Sequence, residues 1–163
     1  MADSLLELSS LPNLHPALVH LPLALLPAAV LCDLLALLLP TRVWLERAAS
    51  LRYVFAALGA GAAFLAGERA ADAIGPQPAA VRPILEEHED LARAALVPLF
   101  GLAILRPFLS WRDRDRPRLT AAVWRFVLLL AAGGALVLLA ATADHGGALV
   151  YGHGVAVRKS AAP

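Results

Sequence analysis

Histidine is the residue type in this sequence best suited to chemistry, and the chain holds five: His15, His20, His88, His145 and His153. Neutral imidazole is a good ligand for haem iron, zinc and copper. Acidic residues surround His88, and Asp144 directly precedes His145. Carboxylates beside a ligating histidine orient its ring. These side chains can act together only if the fold brings them to one place.

The composition indicates which fold could do so. Of the 163 residues, 60% are hydrophobic and 17% are charged, and the mean hydropathy is +0.68. A soluble domain is about half apolar and about a quarter charged, so the excess of apolar side chains requires lipid as its solvent. The net charge of +1 gives no indication of nucleic-acid binding. The single cysteine, Cys32, excludes an internal disulfide and any site built from several cysteines.

Four apolar segments are each close to the ~20 residues that cross a bilayer as a helix. They run from about 16 to 39, 50 to 73, 83 to 109 and 119 to 143. The sequence therefore predicts an all-α fold, a four-transmembrane-helix bundle that forms a single membrane domain over residues 1–163. Residues 144–157 are glycine-rich and partly β-branched, and we expect a short ordered interfacial C-terminal segment there rather than a fifth span.

Arginines cluster in two of the three predicted connections. Arg42, Arg47 and Arg52 lie between helices one and two, and five more lie between helices three and four: Arg106, Arg112, Arg114, Arg116 and Arg118. Short loops rich in Lys and Arg favour the cytoplasm, so we expect these two connections inside and both termini and the central connection outside. The stretch before the first apolar segment has no basic residue. We therefore expect the first helix to be its own insertion signal and to remain in the mature protein.

This topology places all five histidines at the outer face. His15 and His20 open helix one, His88 lies early in helix three, and His145 and His153 lie at and beyond the end of helix four. At ~1.5 Å per residue, His20 lies ~6 Å and His88 ~7.5 Å along their helices. His15 and His20 are separated by about 500° around a helix and do not share a face. The favoured axial pair for a haem in the bundle is therefore His20 with His88 or His145.

Other interpretations of the histidines stay open. A site formed by His20, His88 and His145 with nearby carboxylates could bind a transition-metal ion or carry protons. Each histidine alone could be an amphipathic residue at the lipid headgroups. The acidic run around His88 could be a solvated helix start that the helix dipole favours.

Two charged residues lie inside the predicted spans near the arginine-rich face. Asp33 lies six residues before Leu39, and Arg125 lies six residues after Leu119. Ionisable residues within spans usually pair or line a path. We predict an Asp33–Arg125 ion pair that holds helices one and four in register, with Arg106 as a competing partner. A proton route is the alternative interpretation.

Two motifs carry a resemblance to a known family. The motif HPALVHLP covers residues 15–22, and the motif DHGGALVYGHGV covers residues 144–155. With the acidic stretch around His88, they resemble the bacterial domain-of-unknown-function family 2231, a set of four-helix membrane proteins, over nearly the whole chain. The resemblance implies the fold and a membrane location and suggests a redox or haem-linked role. We expect the membrane to be the bacterial inner membrane. The residues in family-like motifs are His15, His20, His88, Asp144, His145, Gly147 and Tyr151.

The sequence favours a membrane haem protein with one b-type haem near the outer face. Such a protein would transfer electrons to or from a quinone or a periplasmic donor. Its small size indicates a membrane redox partner or a homo-oligomer, and an electron-transfer or accessory subunit rather than a stand-alone enzyme. The alternatives are a non-catalytic assembly subunit of a larger membrane complex and a metal or proton translocator that uses the histidines and acids.

Overall fold

The structure is a computed structural model that describes residues 14–39, 41–112 and 118–157, with the backbone alone for residues 118–121. The predictions that involve Arg114, Arg116 and the residues before Leu14 concern positions outside these ranges. The described chain is helical and contains no β-strand. Five α-helices and a final π-helical turn follow one another: α1 (His15–Leu18), α2 (His20–Leu38), α3 (Val43–Ile74), α4 (Arg82–Arg112), α5 (Arg118–Gly147) and the π turn (Ala148–Gly152).

Four stretches of these helices are long and apolar enough to cross a membrane: His15–Leu38, Val43–Ile74, Arg82–Arg112 and Ala122–Gly152. The all-α fold class with four transmembrane helices is therefore confirmed. α3 has 32 residues, or about 48 Å at ~1.5 Å per residue. This length exceeds the ~30 Å hydrocarbon core of a bilayer, so α3 extends into the interfacial layer.

The four long helices form a ring in which each packs against two neighbours. α2 packs against α3 and α5, and α4 packs against the same two helices. The connections after α2 and α3 are short, which makes consecutive helices antiparallel. The core contains small and branched residues that let the helices approach closely, among them Leu26, Ala29, Ala56, Leu99 and Ala132. One diagonal of the ring joins α2 to α4, and the other joins α3 to α5.

The first span is not one regular helix, because α1 and α2 are separated at Val19. Val19 keeps a right-handed helical backbone, with φ −62° and ψ −23°. Pro22 lacks the N–H group that would donate to the carbonyl of Leu18, which explains the interruption there. The second proline of the segment, Pro27, lies inside α2.

Two helix boundaries differ from the sequence prediction. α3 begins at Val43 rather than near residue 50, so Arg47 and Arg52 lie on a helix and not in a connection. Leu45 and Ala49 are buried, and their burial stabilises the additional helical turns. At the other end of the chain, the helix continues through Gly146 and Gly147 into the π turn instead of stopping at these glycines.

The predicted Asp33–Arg125 ion pair is wrong, because each residue has another partner. Arg106 of α4 donates to Asp33 Oδ1 from Nε at 2.8 Å and from Nη2 at 2.5 Å. Arg125 of α5 instead donates from Nη2 to Glu46 Oε1 at 2.5 Å. The prediction was based on the equal depths of Asp33 and Arg125 in the membrane. Depth does not determine how each helix is rotated about its axis, and in the structure α4 is rotated so that Arg106 points toward Asp33. The competing partner named from the sequence is the observed one.

Both ion pairs cross the ring of helices. Asp33 and Arg106 connect α2 to α4, and Glu46 and Arg125 connect α3 to α5. Each ion pair thus joins two diagonally opposite helices, which otherwise make few contacts with each other. Both pairs lie in the half of the bundle opposite the histidines, so the long charged side chains connect the helices at that end.

Candidate cofactor site

His15 and His88 meet at the histidine end of the bundle, although 73 residues separate them in sequence. Their ring centres lie 6.1 Å apart, and the ring planes are nearly perpendicular, at 84°. His15 opens α1 and His88 lies in the second turn of α4. The two rings therefore face each other across a diagonal of the ring of helices.

Each of these two rings is bound to the backbone of a neighbouring helix. His15 Nδ1 lies 2.7 Å from the carbonyl oxygen of Ala63 on α3. His88 Nδ1 lies 2.9 Å from the carbonyl oxygen of Thr142 on α5. A carbonyl oxygen only accepts hydrogen bonds, so Nδ1 carries the hydrogen and donates it. In the neutral ring the lone pair is then on Nε2, which is the arrangement of a histidine that ligates a metal through Nε2.

Two glycines make room for these rings. A Cβ atom added to Gly67 would lie 2.9 Å from His15 Nδ1, and one added to Gly146 would lie 3.1 Å from His88 Cε1. A methyl group at either position would push the facing ring away. The row Gly59, Ala63 and Gly67 permits close helix packing, and its last member faces an imidazole. Gly146 has the same role on α5. It is needed so that the His88 ring can pack against this helix, and it does not terminate the helix.

A cavity of about 440 Å³ lies beside the two rings. Residues from all four spans and from the C-terminal segment line it, and most of the lining is apolar. The residues that form it include Ala60, Phe64, Ala92, Leu96, Leu139 and Leu149. Cavities that bind small organic ligands have volumes of about 300–1,000 Å³ and few polar groups. The cavity therefore has the size and the chemistry of a site for an apolar organic molecule.

The remaining histidines differ in their relation to this cavity. His20 also lines it, but its ring is exposed and its Nδ1 donates to Pro16 O of its own helix at 2.7 Å. His145 donates from Nδ1 to Ala141 O at 2.9 Å, and its Nε2 lies 3.4 Å from Glu87 Oε2. His145 is not among the described residues that line the cavity. The ring contact of His88 is with His15, and the expected axial pair of His20 with His88 or His145 stays a prediction.

The acidic residues are arranged around the cavity rather than inside one cluster. Glu68 of α3 and Glu89 of α4 belong to the cavity lining, and Glu87 is the partner of His145. Within the described ranges, no three His, Cys, Asp or Glu side chains come close enough to hold one metal ion. A haem requires only axial ligands from the protein, and His15 and His88 beside the apolar cavity are the residues that could hold one.

Comparisons with known proteins concern the chain as a whole. No curated protein and no solved structure matches it. One family model, described as a predicted membrane protein and domain of unknown function 2231, matches residues 11–159. This range includes the four spans, the paired histidines and the C-terminal turn. The chain therefore belongs to the membrane protein family of domain of unknown function 2231.

Proposed function

We propose that this protein binds one b-type haem between His15 and His88 and transfers electrons through it. The observation that carries the proposal is the pair of facing imidazoles, each with Nδ1–H bound to a backbone carbonyl, beside an apolar cavity. Two imidazoles that flank one metal ion at ~2 Å from each ligating nitrogen have ring centres about 6 Å apart. The ring centres of His15 and His88 lie 6.1 Å apart, which is close to this value.

The cavity favours a haem over an isolated metal ion. A metal ion held by protein ligands alone is usually bound by three or four side chains and needs no large apolar space. A macrocycle needs both an apolar space and small residues beside it, and the lining has Ala60, Ala63, Gly67 and Ala92. The size of the cavity thus supports an organic cofactor.

A bound haem supplies one-electron redox chemistry at its iron. The residues of the chain would have separate roles around it. His15 and His88 would ligate through Nε2, the carbonyls of Ala63 and Thr142 would fix the ring orientations, and the apolar lining would exclude water. Because the cavity lies at one end of the bundle, an electron donor or acceptor can approach it from the membrane surface. We propose a quinone or a periplasmic protein in that role, with a second membrane subunit or a second copy of the chain beside it.

We further propose a location in the bacterial inner membrane with the histidine end outside. Arg42, Arg47, Arg112 and Arg118 lie in or beside the connections at the opposite end, and positive charge at the ends of spans favours the cytoplasm. The tryptophans Trp44, Trp111 and Trp124 are exposed at the arginine-rich end, where an aromatic belt supports an interfacial position. The haem would then face the periplasm.

The visible spectrum of the purified protein, produced with added haem precursor, tests the proposal. We expect a Soret band and a sharp α band in the reduced-minus-oxidised difference. His15→Ala and His88→Ala should each abolish the bis-histidine spectrum and weaken haem binding by about 10-fold or more. His153→Ala is the matched control, because His153 is exposed in the C-terminal segment and is not among the residues that line the cavity.

The other outcomes select between the alternative functions. His20→Ala should keep the bis-histidine haem spectrum. If this variant loses that spectrum, His20 is an axial ligand. A protein without colour but with bound zinc or copper would favour the metal translocator. A preparation without colour or metal would contradict the haem proposal and favour a non-catalytic assembly subunit.

A further inference from the structure

The first turns of α3 present a row of exposed side chains to the surroundings of the bundle. Trp44, Leu51, Phe55 and Leu58 are each more than half exposed, and Arg47 is exposed between them. Residues three and four positions apart share one face of a helix, so these side chains form one continuous row, which we call the α3 stripe. Its apolar part extends about 10 Å along the helix at ~1.5 Å per residue. This length fits within the ~15 Å that one leaflet contributes to the hydrocarbon core of a bilayer.

The charge of Arg47 is not balanced by any acidic residue of the protein. Among the described residues at the arginine-rich end, only Asp33 and Glu46 are acidic. Asp33 is paired with Arg106, and Glu46 is paired with Arg125. Arg47 itself has neither a hydrogen bond nor an ion pair with a described residue. Its exposed guanidinium is therefore available to an anion from outside the protein.

The α3 stripe is complementary to a phosphate group that is attached to apolar chains. A guanidinium can donate to two phosphate oxygens at once, and the apolar stem of an arginine lets its charge reach the headgroup layer. The indole of Trp44 suits the same layer, because it combines an apolar ring with an N–H donor. The apolar side chains below these two residues offer a surface to an acyl chain. A free phosphate ion would use Arg47 alone and leave the rest of the stripe without a role.

We propose that the α3 stripe binds an anionic phospholipid. Arg47 donates to the phosphate, Trp44 packs beside the glycerol region, and one acyl chain lies along the apolar part of the stripe. A zwitterionic headgroup carries a cation of its own that competes with Arg47 for the phosphate, so an anionic headgroup binds more tightly. This site is independent of the haem proposal, because it is built from other residues at the other end of the bundle.

The fluorescence of Trp44 can report on this site, because the chain has only three tryptophans. The full chain with Trp111→Phe and Trp124→Phe is placed in phosphatidylcholine bilayers that contain a small fraction of brominated lipid, which quenches tryptophan on contact. Brominated phosphatidylglycerol should quench Trp44 at a mole fraction about 5-fold lower than brominated phosphatidylcholine. Arg47→Gln should remove this difference. Equal quenching by the two lipids with Arg47 present would overturn the proposal.

Arg52→Gln is the matched control, because it removes the same charge from the same half of α3. The Arg52 guanidinium donates from Nη1 to Ala48 O of its own helix at 3.0 Å, and Arg52 lies about 100° around the helix from Leu51. This variant should keep the preference for phosphatidylglycerol. An equal loss of preference in Arg47→Gln and Arg52→Gln would show a diffuse attraction by the whole arginine-rich end and would overturn the proposal.

A competition experiment keeps Arg47 in place and covers the case in which Arg47→Gln does not fold. Sodium phosphate and sodium chloride, compared at equal ionic strength, should leave the same preference for phosphatidylglycerol. A larger loss in phosphate would show a site for the free anion instead of a lipid. Absence of quenching by either lipid would show that a second copy of the chain covers the stripe. Each of these two results would overturn the proposal.

Discussion

At the scale of single residues, the candidate site depends on the hydrogen at Nδ1 of each paired histidine. The carbonyls of Ala63 and Thr142 accept that hydrogen, so neither ring can rotate without losing a bond. The same carbonyls direct Nε2 away from the helix that accepts the bond. The glycines beside the rings are equally specific, because they determine how near each ring lies to the facing helix.

Gly146→Ala should therefore weaken cofactor binding although it adds only a methyl group. The new Cβ would lie 3.1 Å from His88 Cε1, and displacement of the ring should lower haem affinity by about 10-fold. Haem content per protein, measured by the pyridine haemochrome absorbance, checks this. Gly134→Ala on the same helix is the control, because nothing lies within 4 Å of its added Cβ. Equal haem content in both variants would contradict the role given to Gly146.

At the scale of helices, the sequence predicts the elements better than their contacts. Apolar length alone predicts the four spans, since a bilayer requires it. The starting point of α3 was missed because charged residues there, including Arg47 and Arg52, indicated a connection, while burial of Leu45 and Ala49 extends the helix. Distance along the helices predicted a common layer of His20, His88 and His145, of which His20 and His88 line the cavity and His145 does not. The pair His15–His88 was not predicted, because helix rotation and the interruption at Val19 decide which side chains meet.

The ion pairs between helices should contribute unequally to stability. Asp33→Asn would leave the Arg106 guanidinium buried without a charged partner, and we expect a loss of about 3–5 kcal/mol in the free energy of unfolding. Arg125→Gln should cost less, because Arg125 and Glu46 are 22% and 16% exposed and water can solvate the remaining charge. Thermal unfolding of both variants in the same detergent shows which substitution lowers the stability more. A larger loss for Arg125→Gln would contradict the importance given to Asp33 and Arg106.

At the scale of the whole molecule, the distribution of charge predicts the orientation in the membrane. Arg42, Arg47, Arg112 and Arg118 lie at the end of the four helices opposite the histidines. The fold itself follows from the apolar composition and short connections, which leave few alternatives to an antiparallel bundle. The cofactor does not follow from the sequence in the same way, since imidazoles serve as ligands, proton carriers and interfacial residues alike.

Cysteine labelling in intact cells should show the arginine-rich end inside. In a Cys32→Ser background, Ala80→Cys in the exposed connection between α3 and α4 should react with a maleimide that does not cross the inner membrane. Thr41→Cys, in the exposed connection between α2 and α3, should react only after the cells are permeabilised. The reverse pattern would show the opposite orientation, with the histidines on the cytoplasmic side.

The two diagonal ion pairs also imply unequal thermal motion along the bundle. At their end, separating opposite helices requires breaking a buried charge pair, which costs several kcal/mol. At the other end, the bonds of His15 and His88 to backbone carbonyls are neutral and contribute about 1 kcal/mol each. The helices should therefore separate transiently at the cavity end, while the two ion pairs keep them together at the opposite end. A bulky molecule could then enter sideways between helices, without unfolding any of them.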